Sequence, residues 1–131
     1  MRSRGNYMKD KHLDAKGAFD FDYANNILFF KIEEREYSHS FELGDYVVDL
    51  DIEGFIVGVQ IFNASKYLNV SKGSLRDIKS WKLEASTKNN VVEIKLLFNS
   101  VVRNKIIEKN PILIQRVEGN LENSSVVSCI N

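Results

Sequence analysis

The stretch from Tyr46 to Ser65, YVVDLDIEGFIVGVQIFNAS, constrains the fold more than any other part of the chain. Two apolar runs meet at Asp51-Ile52-Glu53-Gly54, which carries an acid at the first turn position and a glycine at the last. A left-handed backbone is needed at that last position, and glycine adopts it without steric cost. Glu53 and Gly54 are therefore read as turn residues. On either side, Tyr46, Val47 and Val48 and then Phe55, Ile56, Val57 and Val59 are the β-branched and aromatic types that fit a pleated, half-buried surface. The stretch predicts a β-hairpin, and the rest of the chain must supply its cover.

Upstream, Phe19, Phe21 and Tyr23 alternate with Ala18, Asp20 and Asp22, a period of two. Ala24-Asn25-Asn26 supplies turn chemistry, Ile27 to Ile32 a second strand, and Tyr37 to Leu43 a third that turns at Gly44-Asp45. At Asn63 the period becomes helical: Ala64, Tyr67 and Leu68 fall at i, i+3 and i+4, with Asn63 as the expected N-cap. Ser71 is placed to cap a second short helix carrying Leu75 and Ile78. Beyond it, Trp81, Leu83 and Ala85 and then Val92, Ile94, Leu96 and Phe98 alternate on either side of a Lys88-Asn89-Asn90 turn. Ile106 to Val117 reads as one or two strands broken at Asn110-Pro111, and Val126 to Ile130 as a final edge strand. The fold class is α+β: an antiparallel meander of short strands, two short helices in mid-chain that cover a sheet face, then a second set of antiparallel strands. Residues 1–16 are polar and basic and read as a flexible N-terminal segment, followed by a single domain over 17–131.

A resemblance follows from these residues. Phe21-Asp22, the turn at Asn26 and the pair Leu28-Phe29, followed by Asp49-Leu50-Asp51, Gly54, Gly58-Val59-Gln60-Ile61 and Ala64-Ser65, resemble a small prokaryotic family known as domain of unknown function 2283. The likeness covers about 19–68, and Asn26 and Gln60 stand where the family pattern favours acids. The resemblance implies a fold neighbourhood and no activity. It marks Asp22, Asn26, Asp49, Asp51, Gln60 and Ser65 as the polar residues of interest.

Composition narrows the function classes. Net charge is zero, so no global field attracts polyanions. A basic ridge is expected where Lys72, Arg76 and Lys79 share a face of the second helix, which reads as a solvated surface more than as a nucleic-acid site. The single cysteine, Cys129, excludes an internal disulfide. No apolar run approaches the ~20 residues of a membrane helix, and the opening residues lack the apolar centre of a secretory signal, so a cytoplasmic location is expected. Asp49, Asp51 and Glu53 match the first half of an EF-hand loop, but its twelfth position is Gln60, which cannot chelate calcium in bidentate fashion. Ser65, His39 and Asp49 could be drawn as a triad, yet no nucleophile-elbow glycines surround Ser65. No cofactor is implied.

In the central hairpin both alternation classes are apolar, so two covers are needed: helices can supply one, and the second is either the sheet from Trp81 onward, folded back as a sandwich, or another chain. A non-catalytic binding or self-association module is the expected function, as a homo-oligomer or adaptor, with Val47, Phe55 and Val57 as contact residues. The alternatives are divalent-cation or small-ligand binding at the acidic hairpin, or acid/base chemistry by Asp22, Asp49 or Asp51.

Overall fold

The computed structural model describes residues 11–130. Two β-sheets pack face to face. The first contains β2 (Gly17–Asp22), β3 (Ile27–Ile32), β4 (His39–Glu42), β5 (Tyr46–Leu50) and β6 (Ile56–Ile61), in the order β2-β3-β6-β5-β4 and antiparallel throughout. Helices α1 (Ala64–Tyr67) and α2 (Lys72–Arg76) lead into the second sheet. That sheet holds β7 (Ile78–Lys88), β8 (Val91–Val102), β9 (Lys105–Lys109), β10 (Ile112–Arg116) and β11 (Ser124–Ile130), together with β1 (Lys11–Asp14). The expected α+β layout holds, strongly weighted towards strands.

The turns follow from asparagine and glycine placed where the backbone is left-handed. Asn89 and Asn90 sit at φ 51° and 63°, the geometry of a type I′ turn, whose twist matches that of the strands it joins. Arg103 and Asn104 repeat it at 51° and 66° between β8 and β9. Gly54 closes the central hairpin at φ 91°, its amide donating to the Asp51 carbonyl at 3.1 Å. At Pro111 the edge strand bends. Proline cannot donate there, but its carbonyl accepts from the Leu96 amide at 3.0 Å, so β9 and β10 run in succession along the same side of β8.

Four features differ from the sequence reading. Residues 11–14, expected in a flexible segment, form β1, which pairs parallel with β11 and makes the second sheet mixed. Its side chains are mostly polar, and backbone pairing, with Leu13 packed beside Val126, holds it. Residues 1–10 lie outside the described residues. Second, β11 is no edge strand: β7 flanks it on one side and β1 on the other. Third, helices of four and five residues are too short to cover a sheet face, and the second sheet does so instead. Fourth, the hairpin's two-sided apolar pattern is resolved by a β-bulge. Asp49 lies opposite Gly58 but Leu50 opposite Ile56, leaving Val57 as the extra residue. The parity shift lets Ile56, Val57 and Val59 all be buried.

One core therefore lies between the sheets. Leu28, Phe30, Tyr46, Val48, Val59 and Ile61 meet Trp81, Leu83, Ile94, Leu96 and Phe98, with Ala64, Leu68 and Leu75 joining from the helices. Phe30 and Trp81 touch edge to face, their centroids 5.4 Å apart. A satellite cluster sets Ile32, Phe55 and Val57 against Val126, Leu13 and Ala15. Phe55 and Val57 are thus covered by the chain itself, which removes them as partner contacts. Only Val47 of that trio remains half-exposed on the outer face.

Candidate functional site

The outer face of the first sheet carries what the core face rejects. Strand register places Asp20, Phe29, Gln60, Val47 and Glu42 in one row across it, and Ala18, Lys31, Gly58, Asp49 and Ser40 in the next. Gly58 makes a pit in the second row. A Cβ added there would fall 2.6 Å from Asp49 Oδ2, so the Asp49 carboxylate leans over space that only a glycine leaves open. The Ser40 hydroxyl fixes that carboxylate, donating to Oδ1 at 2.5 Å.

The 33–38 segment raises a wall at one end. Arg35 donates from Nη1 to Asp51 Oδ2 at 2.8 Å and to Glu53 Oε2 at 3.1 Å, and lies 5.2 Å over the Phe55 ring. The Asp51 hydrogen bond, more than the charge of Glu53, holds the guanidinium above its ordinary pKa. The Ser38 amide donates to the Leu50 carbonyl at 2.7 Å. Between these anchors Tyr37 projects, exposed, at the rim. The result is an open groove of about 830 Å³ lined by Phe29, Lys31, Asp49, Gly58, Gln60, Asp20 and Tyr37 among others.

The six polar residues marked by sequence are not brought together. Asp49 and Gln60 line the groove. Asp51 is buried beneath the hairpin turn, where Oδ1 accepts the amides of Glu53 and Phe55, both at 3.0 Å. Asp22 sits at a turn, taking the Asn25 side-chain amide at 2.8 Å and its main-chain amide at 3.0 Å. Those two bonds, the side-chain one first, hold its carboxyl below the usual carboxylate range. Acid/base chemistry by Asp22, Asp49 and Asp51 acting together therefore has no common site.

Asn26 and Ser65 form a tie between distant segments. Asn26 Oδ1 accepts the Ser65 amide at 3.1 Å, and Nδ2 donates to Ser65 Oγ at 2.8 Å and to Asn63 Oδ1 at 3.2 Å. The Ala64 amide donates to the Asn26 carbonyl at 2.9 Å. Asn63, the expected cap of α1, is instead left-handed at φ 51° and makes no side-chain cap bond. Asn26 satisfies the first-turn amides in its place. Ser71 does cap α2, accepting the Ser74 amide at 3.0 Å.

The remaining motifs separate similarly. Ser65 follows Ile61, which pairs with Tyr46, whereas Asp49 lies further along β5 opposite Gly58, so no triad with His39 assembles. Among the described residues, no group of three His, Cys, Asp or Glu side chains could hold a metal ion. The basic ridge is broken because α2 ends at Arg76 and Lys79 belongs to β7. Lys72 and Arg76 instead pack over Tyr23, 4.4 Å and 5.1 Å from its ring centre. Among the described residues, no helix is long and apolar enough to cross a membrane. Sequence reasoning missed Phe29, Lys31, Arg35 and Tyr37 as groove residues. The available signal was Gly58, a glycine inside an apolar strand, which marks a close approach.

The fold and this groove define a two-sheet β domain whose first sheet, with its tie to α1, is one sequence unit. Residues 18–65 match the family of proteins of unknown function DUF2283, and this part of the chain is a domain of that family. The match begins in β2 and ends at Ser65, the residue that Asn26 binds. A Methanosarcina mazei protein named "Putative hypoxanthine phosphoribosyltransferase" is 30% identical over 93 residues, covering 70% of this chain and 74% of that protein. An uncharacterised Methanocaldococcus jannaschii protein is 38% identical over 60 residues, covering 46% of this chain and 52% of that protein. No solved structure matches.

Proposed function

We propose that the protein is a non-catalytic association module in which the second sheet pairs with that of another copy of the chain along β10. The observation that carries this reading is a strip of aliphatic side chains on the outer face beside an edge that no described strand pairs. Ile106 is 76% exposed, Ile112 54% and Ile114 60%, and Val101 and Leu97 adjoin them. Such a strip next to free backbone donors and acceptors is a template for strand pairing.

A second copy is the favoured occupant on charge. Two ion pairs border the strip, Lys95 with Glu93 at 3.7 Å and Lys82 with Glu84 at 3.4 Å, and the net charge is zero. Two copies meet without repulsion. Pro111 removes a donor and Lys105 and Lys109 stand at the two ends of β9, features that oppose open-ended growth and leave β10 as the pairing stretch. Two-fold antiparallel pairing sets Ile114 opposite itself and Ile112 beside Arg116, a closed arrangement. Light scattering on purified protein is expected to give about twice 15.1 kDa. Ile114→Lys is expected to give the single-chain mass with unchanged circular dichroism. A wild-type monomer at roughly 100 μM would sink the reading.

The name of the Methanosarcina mazei relative points to phosphoribosyl transfer onto hypoxanthine. Two observations weigh against carrying it to this chain. Helices of four and five residues offer little of the dipole and free amides that hold phosphates. The groove sets Asp20, Glu36 and Asp49 against Lys31 and Arg35, and Arg35 is already paired with Asp51 and Glu53. Formation of inosine monophosphate from hypoxanthine and 5-phosphoribosyl diphosphate, lost on substitution of Asp49, would reverse that judgement.

A further inference from the structure

We infer that the groove over Gly58 binds a planar nitrogen heterocycle of nucleobase type, unphosphorylated, with its ring on Phe29 and its N–H edge towards Asp49 and Gln60. This site lies on the opposite sheet from the β10 edge and does not depend on self-association.

The chemistry comes from groups the fold leaves unused. Asp49 Oδ1 is taken by Ser40, but Oδ2 hangs over the Gly58 pit with no hydrogen-bond partner among the described residues. Gln60, on the neighbouring row, has no partner there either, so its amide can donate and accept at once. A carboxylate acceptor beside an amide matches the edge of a purine or pyrimidine, which offers N–H donors next to ring-nitrogen and carbonyl acceptors. Phe29, half-buried and directly opposite Gln60, supplies an apolar surface on the same side. Tyr37, 65% exposed at the rim, makes no ring contact among the described residues.

Size and charge choose among occupants. About 830 Å³ lies in the range of small-molecule sites and admits a base or a nucleoside. An extended peptide is disfavoured because the floor is a sheet face whose backbone groups already bond their neighbours, whereas strand addition needs an edge. Three carboxylates against Lys31 and the already paired Arg35 disfavour a phosphate and suit a neutral or cationic ring.

The test is a titration of ¹⁵N-labelled full-length protein with adenine, adenosine and adenosine monophosphate, followed by NMR. Saturable shifts of the Gly58 amide and the Gln60 side-chain amide are expected with adenine and adenosine, at least tenfold weaker with the monophosphate. Which of the first two binds more tightly tells base from nucleoside, and either order supports the inference. Asp49→Asn is expected to weaken binding about tenfold, an energy set by one charge-assisted hydrogen bond. Gln60→Leu, which breaks no bond in the described chain, is expected to weaken it similarly and serves if Asp49→Asn fails to fold. No shift at millimolar adenine or adenosine overturns the inference. So do shifts unaffected by both variants, or tighter binding of the monophosphate.

Discussion

The Asn26 tie gives the sharpest test of how this chain holds its halves together, because three substitutions separate its parts. Asn26 is held at φ 58°, and its side chain makes three bonds across 37 to 39 residues of sequence. Asn26→Gly keeps the left-handed backbone and deletes all three bonds. The two part-buried ones contribute roughly 1 kcal/mol each net, the exposed one little, and glycine's unfolded-state entropy adds roughly 0.7 kcal/mol. The expected loss is about 3 kcal/mol, or on the order of 10 °C in melting temperature for a chain of this size. Asn26→Ala deletes the same bonds and replaces the entropy term with about 1–2 kcal/mol of left-handed strain, so it is expected to be the worse of the two. Asn26→Asp keeps an acceptor for the Ser65 amide and hydroxyl and is expected to stay within about 1 kcal/mol of wild type. Urea unfolding reads all three through Trp81, the only tryptophan, buried against Phe30 between the sheets. An Asn26→Gly protein within about 0.5 kcal/mol of wild type would refute the reasoning, since the tie would then contribute nothing measurable.

Two further perturbations probe the core and the groove floor. Burial pushes the Tyr46 hydroxyl up to about 12, above the unfolded value near 10, so the folded state holds that proton more tightly. Its stabilising contribution is complete below about pH 10 and is lost between about pH 10 and 12, so the urea midpoint of wild type is expected to fall in that window relative to Tyr46→Phe. At neutral pH Tyr46→Phe is expected to be at least as stable as wild type, by up to about 1 kcal/mol, because the buried hydroxyl has no partner among the described residues. Gly58→Ala is expected to cost about 1–3 kcal/mol, its methyl meeting Asp49 Oδ2 at 2.6 Å and Cγ at 3.3 Å. Adding Asp49→Ala should recover most of that loss in a double-mutant cycle, whereas strictly additive costs would show that the two side chains do not compete for one space.

What the sequence made legible is what local chemistry decides. Asn89-Asn90, Asp51 to Gly54 and Asn25-Asn26 announced their turns because left-handed backbone is confined to few residue types, and the strands between them alternated cleanly. What it hid was set by partners far along the chain. Asn63 has the composition of an N-cap, but a carbonyl and an amide from Asn26 already fill that role. Lys11 to Asp14 carries too little apolar surface to read as a strand, and becomes one because β11 offers an unpaired backbone. The hairpin's doubled apolar pattern implied two covers. One extra residue, Val57, shifts the parity and lets a single cover suffice.

The six polar residues marked in the sequence divide by role. Asp22 binds Asn25 at a turn, Asp51 holds the hairpin tip and Arg35, and Asn26 with Ser65 fastens the first sheet to α1. Their hydrogen bonds are made within the chain, so these four residues serve the first sheet and its junction with α1. Asp49 and Gln60 are different. They lie in the regular register before the bulge, on the outer face; if that register ran on without the bulge, the residue opposite Leu50 would be Val57, with Ile56 turned to solvent. The bulge thus buries the hairpin, and of the six polar residues only Gln60 and the Oδ2 of Asp49 are left without a hydrogen bond among the described residues.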